Sequence, residues 1–236
     1  MTSPPSVILP KHPPVANDIS MIGLLALATL LPFLVAAGTC YLKFSIVFVM
    51  VRNAMGLQQV PSNLVLNAVA LMMSVFVMMP VVETVYDYQR ENPVNFSSLA
   101  SVESFVDNGL GTYRSYLQKY SDPELTAFFE KIQVARLKEK NIPHIEGEDQ
   151  PSLFSLLPAY ALSEIKSAFK IAFFLYVPFV VVDLLISSIL LALGMMMMSP
   201  VVISVPVKLI LFVALDGWSI LSQGLILQYI DLGGGG

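Results

Sequence analysis

The residues of this sequence that could do chemistry are the charged side chains inside its apolar segments. Lys43, Lys170, Asp183, Lys208 and Asp216 each lie within or beside a long apolar stretch. A charge at a bilayer centre costs about 2.5 to 3.5 kcal/mol on insertion scales, so a lone helix facing lipid tolerates it poorly. The five charges therefore pair across helices or subunits, line water, or, in a simpler interpretation, snorkel to an interface and cap helix ends.

A run of four methionines is the second unusual feature. It consists of Met195, Met196, Met197 and Met198. Gly194 precedes the run, and Ser199 and Pro200 follow it, so the thioethers are expected at the tip of a helical hairpin. Unbranched, polarisable side chains repack easily, and a ring of them from several subunits could block water and ions yet open around a passing chain. The alternative is that they fill the end of a membrane helix, as Met72, Met73, Met78 and Met79 could do.

Catalytic and cofactor sites are not evident in the sequence. His12 and His144 lie in polar segments without metal-ligand spacing to a second ligand, and Cys40 is the single cysteine. No glycine directly precedes a lysine, which excludes a P-loop, and the glycine-rich dinucleotide pattern fails at Arg114. The net charge of −4 and the lack of basic runs argue against a nucleic-acid partner. We therefore expect no enzyme, no cofactor and no metal.

Composition indicates a membrane protein with one polar insert. Of 236 residues, 56% are hydrophobic and 13% charged, and the mean hydropathy is +0.72. We expect an all-α fold of two long hydrophobic hairpins joined by a helical insert. The expected segments are a disordered tail at 1–18, a first hairpin at 19–82, the insert at 83–166, a second hairpin with the methionine tip at 167–232, and a glycine tail at 233–236 that resembles an added linker.

Local patterns refine this division. The first apolar stretch is too long for one membrane crossing, and Pro32 is the expected kink. In the insert, Asp122 and Pro123 are a typical N-cap and first-turn pair. Lys208 and Asp216 would share one helix face, about 12 Å apart along the axis.

The insert's own patterns are also helical. One apolar face is predicted at 3.6-residue spacing by Val102, Phe105, Val106, Leu110, Tyr113 and Leu117. A second helix after Pro123 is predicted to face inward with Leu125, Phe128, Phe129 and Ile132. The acidic stretch Asn141 to Gln150 is predicted to be a solvated loop.

The orientation follows from basic residues near the first hairpin's tip. Lys43 and Arg52 flank that tip, which should therefore face the cytoplasm. With four spans, both termini and the insert would then lie outside the cytoplasm.

Three stretches of sequence resemble the FliP/SctR family, the core subunits of the type III secretion export apparatus. They are PAYALSEIKSAFK from Pro158, PFVVVDLLISSILLALGMMMMSP from Pro178, and KLILFVALDGW from Lys208. The first hairpin agrees through KFSIVFVMVRNAMGLQQVPSN from Lys43. Within the family, YLQKYSDPELTAFFE from Tyr116 resembles the injectisome (SctR) branch more than the flagellar one.

The resemblance implies an assembly and a role. It implies that five copies of this chain assemble with SctS-type and SctT-type subunits into a helical cone. The expected neighbours of this cone are SctU-type and SctV-type components and the inner rod and needle subunits. The assembly would lie in the bacterial inner membrane, largely on the periplasmic side. The family's methionine gasket maps onto residues 195–198. Buried charges, Arg52 among them, could then pair between subunits, and Glu164, Lys166 and Lys170 are candidates for ion pairs between neighbouring protomers.

Three functions remain open from the sequence. The first is a non-enzymatic channel subunit that conducts unfolded secretion substrates. The second is a proton-coupled transporter that uses Asp183 and Asp216, although no inverted repeat supports it. The third is a structural adaptor on which a rod or needle is nucleated.

Overall fold

The computed structural model describes residues 25, 28–30, 32–93, 101, 104–139 and 151–230. The described residues are helical and contain no strand, so the expected all-α fold is confirmed. The helices are α1 (Pro32–Gly38), α2 (Tyr41–Ala54), α3 (Asn63–Glu91), a π-helical turn (Phe105–Gly109), α4 (Gly111–Tyr120), α5 (Pro123–Glu139), α6 (Leu153–Ala192), α7 (Val201–Ala214) and α8 (Gly217–Leu227). The expected N-terminal and glycine tails lie outside the described residues.

Helix α2 forms the centre of the fold. Its residues Phe44, Val47, Phe48 and Val51 recur at helical spacing and are almost fully buried. They pack against α3 on one side and α6 on the other. The hydrophobic core therefore lies where the two hairpins meet.

The first hairpin bends between α1 and α2. The two helices are bent by 77° relative to each other around Thr39 and Cys40. The kink predicted at Pro32 stays a prediction, because Leu31 lies outside the described residues. The Thr39 hydroxyl donates to the Val35 carbonyl (2.6 Å) and accepts from the Tyr41 amide (3.3 Å). A threonine side chain that bonds the backbone in this way competes with the helical ladder, which explains the bend's position.

Two long helices carry the membrane-spanning character. Helices α3 and α6 have 29 and 40 residues and are apolar enough to cross a membrane. Up to four spans result if each bent pair, α1 with α2 and α7 with α8, counts as one. Helix α3 continues past residue 82, and α6 begins before residue 166, so neither expected limit of the insert coincides with a helix end.

The insert contributes α4 and α5, which pack on α6. Pro123 begins α5, and the Asp122 carboxylate accepts from the Glu124 amide (3.0 Å), which confirms the predicted helix start. Phe128, predicted to face inward, is instead 55% exposed. Val102 and the acidic stretch 141–150 lie outside the described residues.

The second hairpin turns where the sequence predicted, between α6 and α7. The segment after α7, however, is not one helix, because the chain breaks at Leu215 and Asp216 and α8 leaves at 60° to α7. Asp216 adopts left-handed backbone angles (φ 50°). The expectation that Lys208 and Asp216 share one helix face is therefore wrong.

Candidate functional site

The methionine run forms an exposed loop at the tip of the α6–α7 hairpin. Gly194 has φ +73°, a conformation that glycine adopts without steric cost. Its amide donates to the Leu191 carbonyl (3.0 Å), and the Met195 amide donates to the Leu190 carbonyl (2.9 Å). This pair of bonds is the Schellman motif, which ends a helix and turns the chain sharply. Pro200 then precedes the first residue of α7.

The four thioethers are uncovered in the single chain. The exposed fractions are 39% for Met195, 78% for Met196, 103% for Met197 and 41% for Met198. Exposed apolar side chains at a tip are unusual, because ordinary hairpin turns are polar. Such a loop can seal a passage by excluding water, or bind another apolar surface.

A buried lysine ties this hairpin to α2. Lys208 on α7 is 4% exposed, and its ammonium lies 2.5 Å from the Asp183 carboxylate on α6. The same ammonium donates to the carbonyl of Ala54, the last residue of α2 (3.2 Å). A cation at a helix C-terminus is stabilised by the helix dipole as well as by the hydrogen bond. The contact fixes α6 and α7 against each other and against the first hairpin.

A second buried ion pair joins the first hairpin to the middle of the chain. Lys43 on α2 and Glu164 on α6 are 3.0 Å apart, with side chains 6% and 1% exposed. Tyr229 donates its hydroxyl to Glu164, and its ring lies 4.5 Å from the Lys43 ammonium. Gln228 also accepts from Lys43 (3.5 Å). The pair is therefore compensated by a hydrogen bond and a cation–π contact, as a buried pair requires.

Tyrosines surround this pair. The hydroxyls of Tyr116 and Tyr160 are 2.7 Å apart, and the Tyr120 hydroxyl donates to the Tyr229 carbonyl (2.9 Å). Burial raises the pKa of Tyr116 and Tyr229 above the ordinary value of a phenol. The Tyr116 and Tyr229 hydroxyls are therefore neutral hydrogen-bonding groups, and both bond side chains of α6, whereas Tyr120 joins the insert to the residues after α8.

Arg52 stabilises the connection between α2 and α3. It is 7% exposed and donates to the Pro61 carbonyl (3.1 Å) and the Asn63 side-chain oxygen (2.6 Å). A planar guanidinium suits this task because it donates in several directions from a fixed plane. Arg52 thus acts as a structural residue of the hairpin tip in this chain.

The remaining charges are more exposed. Lys166 lies 2.6 Å from the Asp122 carboxylate, and this hydrogen bond lowers the pKa of Asp122. Lys170 is exposed and has no ion pair among the described residues. Asp216 accepts from the Ser219 hydroxyl (2.8 Å) at the start of α8. Glu164 and Lys166, expected to face neighbouring protomers, thus have partners within the chain.

Sequence reasoning missed Tyr229 and the role of Asp122 as a partner of Lys166. Gln228 and Tyr229 follow the short apolar run Leu225 to Leu227, and this change to polar hydrogen-bonding residues was the available signal. It was weak, because a single sequence does not show that residues 164 and 229 meet. Asp122 was recognised as an N-cap, and its second contact depends on tertiary packing alone.

Comparison with known proteins places this architecture in a family. A model described as the FliP family matches residues 24–225. "Surface presentation of antigens protein SpaP" of Salmonella typhimurium is 61% identical over 220 residues, covering 92% of this chain and 98% of the relative. "Yop proteins translocation protein R" of Yersinia pestis is 43% identical over 213 residues (90% and 97%). "Harpin secretion protein HrcR" of Erwinia amylovora is 37% identical over 202 residues (86% and 92%). The chain therefore belongs to the FliP family, and these relatives agree with the SctR branch that the insert sequence indicated.

Proposed function

We propose that this chain is a pore-forming core subunit of the type III secretion export gate, which conducts unfolded proteins across the bacterial inner membrane. Family membership and relatives named for antigen presentation, Yop translocation and harpin secretion support a role in a secretion export apparatus. The long apolar helices support a membrane protein. The location on the periplasmic side of that membrane is part of the proposal.

The exposed methionine loop is the observation that carries the proposal. Residues 195–198 are held at a tip by the Schellman motif, and the hairpin behind them is fixed by Lys208. Several copies around an axis would bring these loops together. Thioethers offer water only weak hydrogen-bond acceptors, so a thin ring of them blocks ions by dewetting yet deforms around a polypeptide.

Exposed apolar side chains on both long hairpins support assembly. On α6 and α7 they include Phe173, Phe174, Leu184, Leu185, Val202 and Ile210, each at least 58% exposed. A surface of this kind needs lipid or protein to cover it. We propose that sister chains in a pentamer, SctS-type and SctT-type subunits, and neighbouring SctU-type, SctV-type, rod and needle components cover much of it.

The test is ion leakage through the assembled complex. Replacing all four residues 195–198 with alanine should raise small-ion conductance, because alanine leaves a wider and less deformable gap. Met72→Ala with Met79→Ala is the matched control, since both methionines are more than half exposed on α3 but lie away from the tip. Raised conductance in the tip variant alone supports the channel.

The same experiment separates the competing functions. A structural adaptor would show unchanged conductance and altered filament assembly in the tip variant. A proton-coupled transporter through Asp183 and Asp216 would lose activity on substitution of these aspartates, with the methionines of no consequence. No geometric observation favours the transporter, since Asp183 is paired with Lys208 and Asp216 accepts from Ser219 at a helix start.

A further inference from the structure

The α6–α7 hairpin is interrupted on both of its sides, well behind the methionine loop. On α6, Pro178 has no amide hydrogen to donate to the carbonyl of Phe174, so one bond of the helical ladder is missing. On the other side, α7 ends at Ala214, and Leu215 and Asp216 separate it from α8 at a bend of 60°. Hinges in proteins are often formed by residues at the ends of helices, as these are.

The two interruptions lie at the same level of the hairpin. The ring of Phe179, the residue after Pro178, has its centroid 6.2 Å from that of Phe212. The Phe212 ring in turn lies 5.2 Å from the ring of Trp218, which follows the break on the other side. The hairpin can therefore bend at this level with both of its sides yielding together, and the three rings form the pivot.

The other prolines of this hairpin have no such counterpart. Pro206 lies within α7, but residues 179–192 of α6 contain neither proline nor glycine. Pro158 lies near the start of α6, beside the insert helix α5. The movable part is therefore residues 179–214, the distal hairpin, which carries the methionine loop.

Few contacts attach the distal hairpin to the rest of the chain. Its buried residues are Phe179, Leu190, Ser204, Lys208 and Phe212, and the first and last of them lie at the pivot. In the part of the chain that the structure describes, its one hydrogen bond to the first hairpin runs from the Lys208 ammonium to the Ala54 carbonyl (3.2 Å). A segment with few buried side chains belongs to the less stable part of a fold, from which moving elements are drawn.

The Lys208–Ala54 hydrogen bond can open without leaving a charge unpaired. Asp183 and Lys208 both belong to the distal hairpin, so their ion pair moves with it and stays intact. Ala54 is the last residue of α2, where a carbonyl has no intrahelical donor and can accept from water instead. Opening therefore exchanges one hydrogen bond for another and avoids the large cost of separating a buried pair.

We propose that the distal hairpin is a hinged gate, which swings about Pro178 and Leu215–Asp216 and is held closed by the Lys208–Ala54 hydrogen bond. Its role as a gate rests on the proposed channel function, whereas the motion is a property of each chain. From Pro178 to Met195 the helical rise gives about 25 Å, so a swing of roughly 10° moves the methionine loop about 4 Å. Such a swing in several copies would widen a ring of methionines and leave every helix folded.

The experiment measures a distance within one chain. Spin labels on Gln58→Cys, in the exposed connection between α2 and α3, and on Met197→Cys, in the methionine loop, report the position of the distal hairpin. Labelled chains are diluted with unlabelled chains in the detergent-extracted particle, so that the measured pairs belong to one chain. Cys40 is fully buried and should not react. We expect a single narrow distance in the labelled chain without further changes.

Two substitutions separate the hydrogen bond to Ala54 from the ion pair. Lys208→Met removes both, leaves the 43% exposed Asp183 carboxylate to solvent, and should broaden the distance distribution by about 4 Å, the displacement given by the helical rise. Asp183→Asn is the control, because the Lys208 ammonium can still donate to Ala54, and it should keep the distribution narrow.

Two prolines of α6 test the position of the pivot. Pro178→Ala restores an amide to the helical ladder and should narrow the distribution of the Lys208→Met chain. Pro158→Ala makes the same change beside the insert and should leave that distribution broad.

A disulfide tests the gate without Lys208→Met, in case that variant does not fold. A Cβ on Gly56 would lie 3.8 Å from the Val205 Cβ, the usual separation in a disulfide. Oxidation of the chain with Gly56→Cys and Val205→Cys should therefore stop protein secretion by cells, and reduction should restore it. Gly56→Cys alone is the control, because it has the same left-handed backbone position (φ +82°) without the cross-link.

A narrow distribution in Lys208→Met would overturn the proposal, and so would equal broadening in Asp183→Asn or equal narrowing by the two proline variants. Equal secretion by the oxidised and reduced double-cysteine chain would show that export needs no such movement. If the methionine-loop variant leaves conductance unchanged but Lys208→Met broadens the distribution, the channel role is wrong and the hinge remains.

Discussion

Tyr229 lies at the contact of three parts of the chain. It donates to Glu164 on α6, covers the Lys43 ammonium on α2, and accepts from Tyr120 of the insert through its carbonyl. The buried ion pair therefore depends on a residue outside the two hairpins' helices. Removing the Tyr229 hydroxyl leaves the buried Glu164 carboxylate with one hydrogen-bond donor fewer and no water to replace it.

The first residue-scale prediction concerns this hydroxyl. Tyr229→Phe should destabilise the fold by about 1.5 to 3 kcal/mol, the range for a lost hydrogen bond to a charged group. Tyr176→Phe is the control, since Tyr176 is 43% exposed and has no hydrogen-bond partner among the described residues. Thermal unfolding in mild detergent measures both. Equal midpoints for the two variants would contradict the role of Tyr229.

The second residue-scale prediction concerns pH. The hydrogen bond from Lys166 lowers the pKa of Asp122 below its ordinary 3.8, so the folded chain takes up this proton at lower pH than the unfolded chain. The contribution to stability is therefore complete above the ordinary pKa and is lost as the pH falls through the lowered one. Because both groups contact solvent, the contribution is small.

Asp122→Asn tests this sign, since asparagine can still accept from the Glu124 amide while losing the charge. Its unfolding midpoint should lie slightly below that of the unaltered chain at neutral pH, and the difference should vanish in acid. Lys166→Gln should give the same loss, and the double variant no further loss. A difference that persists unchanged in acid would refute the ion-pair explanation.

The sequence alone predicted which residues carry costly charges, but not which residues they pair with. Lys43 was recognised as a costly charge from its apolar neighbourhood, and Glu164 as a candidate for an ion pair between neighbouring protomers. Their pairing within one chain was not predicted, because it joins helices far apart in the chain. The Lys208–Asp183 contact was likewise foreseen only as a need for partners on other helices. The apolar neighbours of a charge in the sequence indicate that burying it costs free energy. Only the tertiary packing determines which group compensates that charge.

At the scale of elements, the break between α7 and α8 replaces an expected straight helix. A Cβ on Gly217 would overlap the Phe212 ring, which is itself packed against Phe179 and Trp218. The ring therefore has little freedom to move aside. An apolar run gives no sign of such a break, whereas Gly194 with Pro200 and Asp122 with Pro123 predicted their helix ends correctly because their backbone preferences are local.

The prediction at this scale compares two glycines of α8. Gly217→Ala should destabilise by about 1 to 3 kcal/mol, the usual range for overpacking. Gly224→Ala should be neutral or stabilising by up to about 1 kcal/mol, because in the described part of the chain no atom outside its own stretch of helix lies within 4 Å of the added methyl group, and alanine favours helix. The measurement is the thermal unfolding midpoint of each variant. An unchanged midpoint for Gly217→Ala would contradict the prediction and show that the Phe212 ring is free to move.

At the scale of the whole molecule, buried charges tie the two hairpins together while much of their outer apolar surface stays uncovered. The sequence predicted two hairpins and a polar insert. It did not predict that buried charges within one chain would hold the two hairpins together. Arg52, Lys43 and Lys208 each bind within the chain, so these three cations have partners without a second chain. What a partner can cover is the exposed side of α6 and α7.

The corresponding prediction concerns size. The detergent-extracted particle should have a mass of several chains, with a pentamer expected from the family resemblance. Polar substitution of Phe173 and Phe174, which are more than 60% exposed on α6, should reduce this mass, whereas Phe128→Ser on the insert should not. A particle with the mass of one chain would remove the support for an axial channel.

Helix α6 has a mechanical consequence. Forty residues at helical rise span about 60 Å along α6, which contains Pro158 and Pro178, and this length is roughly twice the thickness of a hydrocarbon core. One end begins among the insert helices, and the other ends at the methionine turn. A load applied where α5 packs on α6 would therefore reach the methionine turn at the opposite end of the same helix.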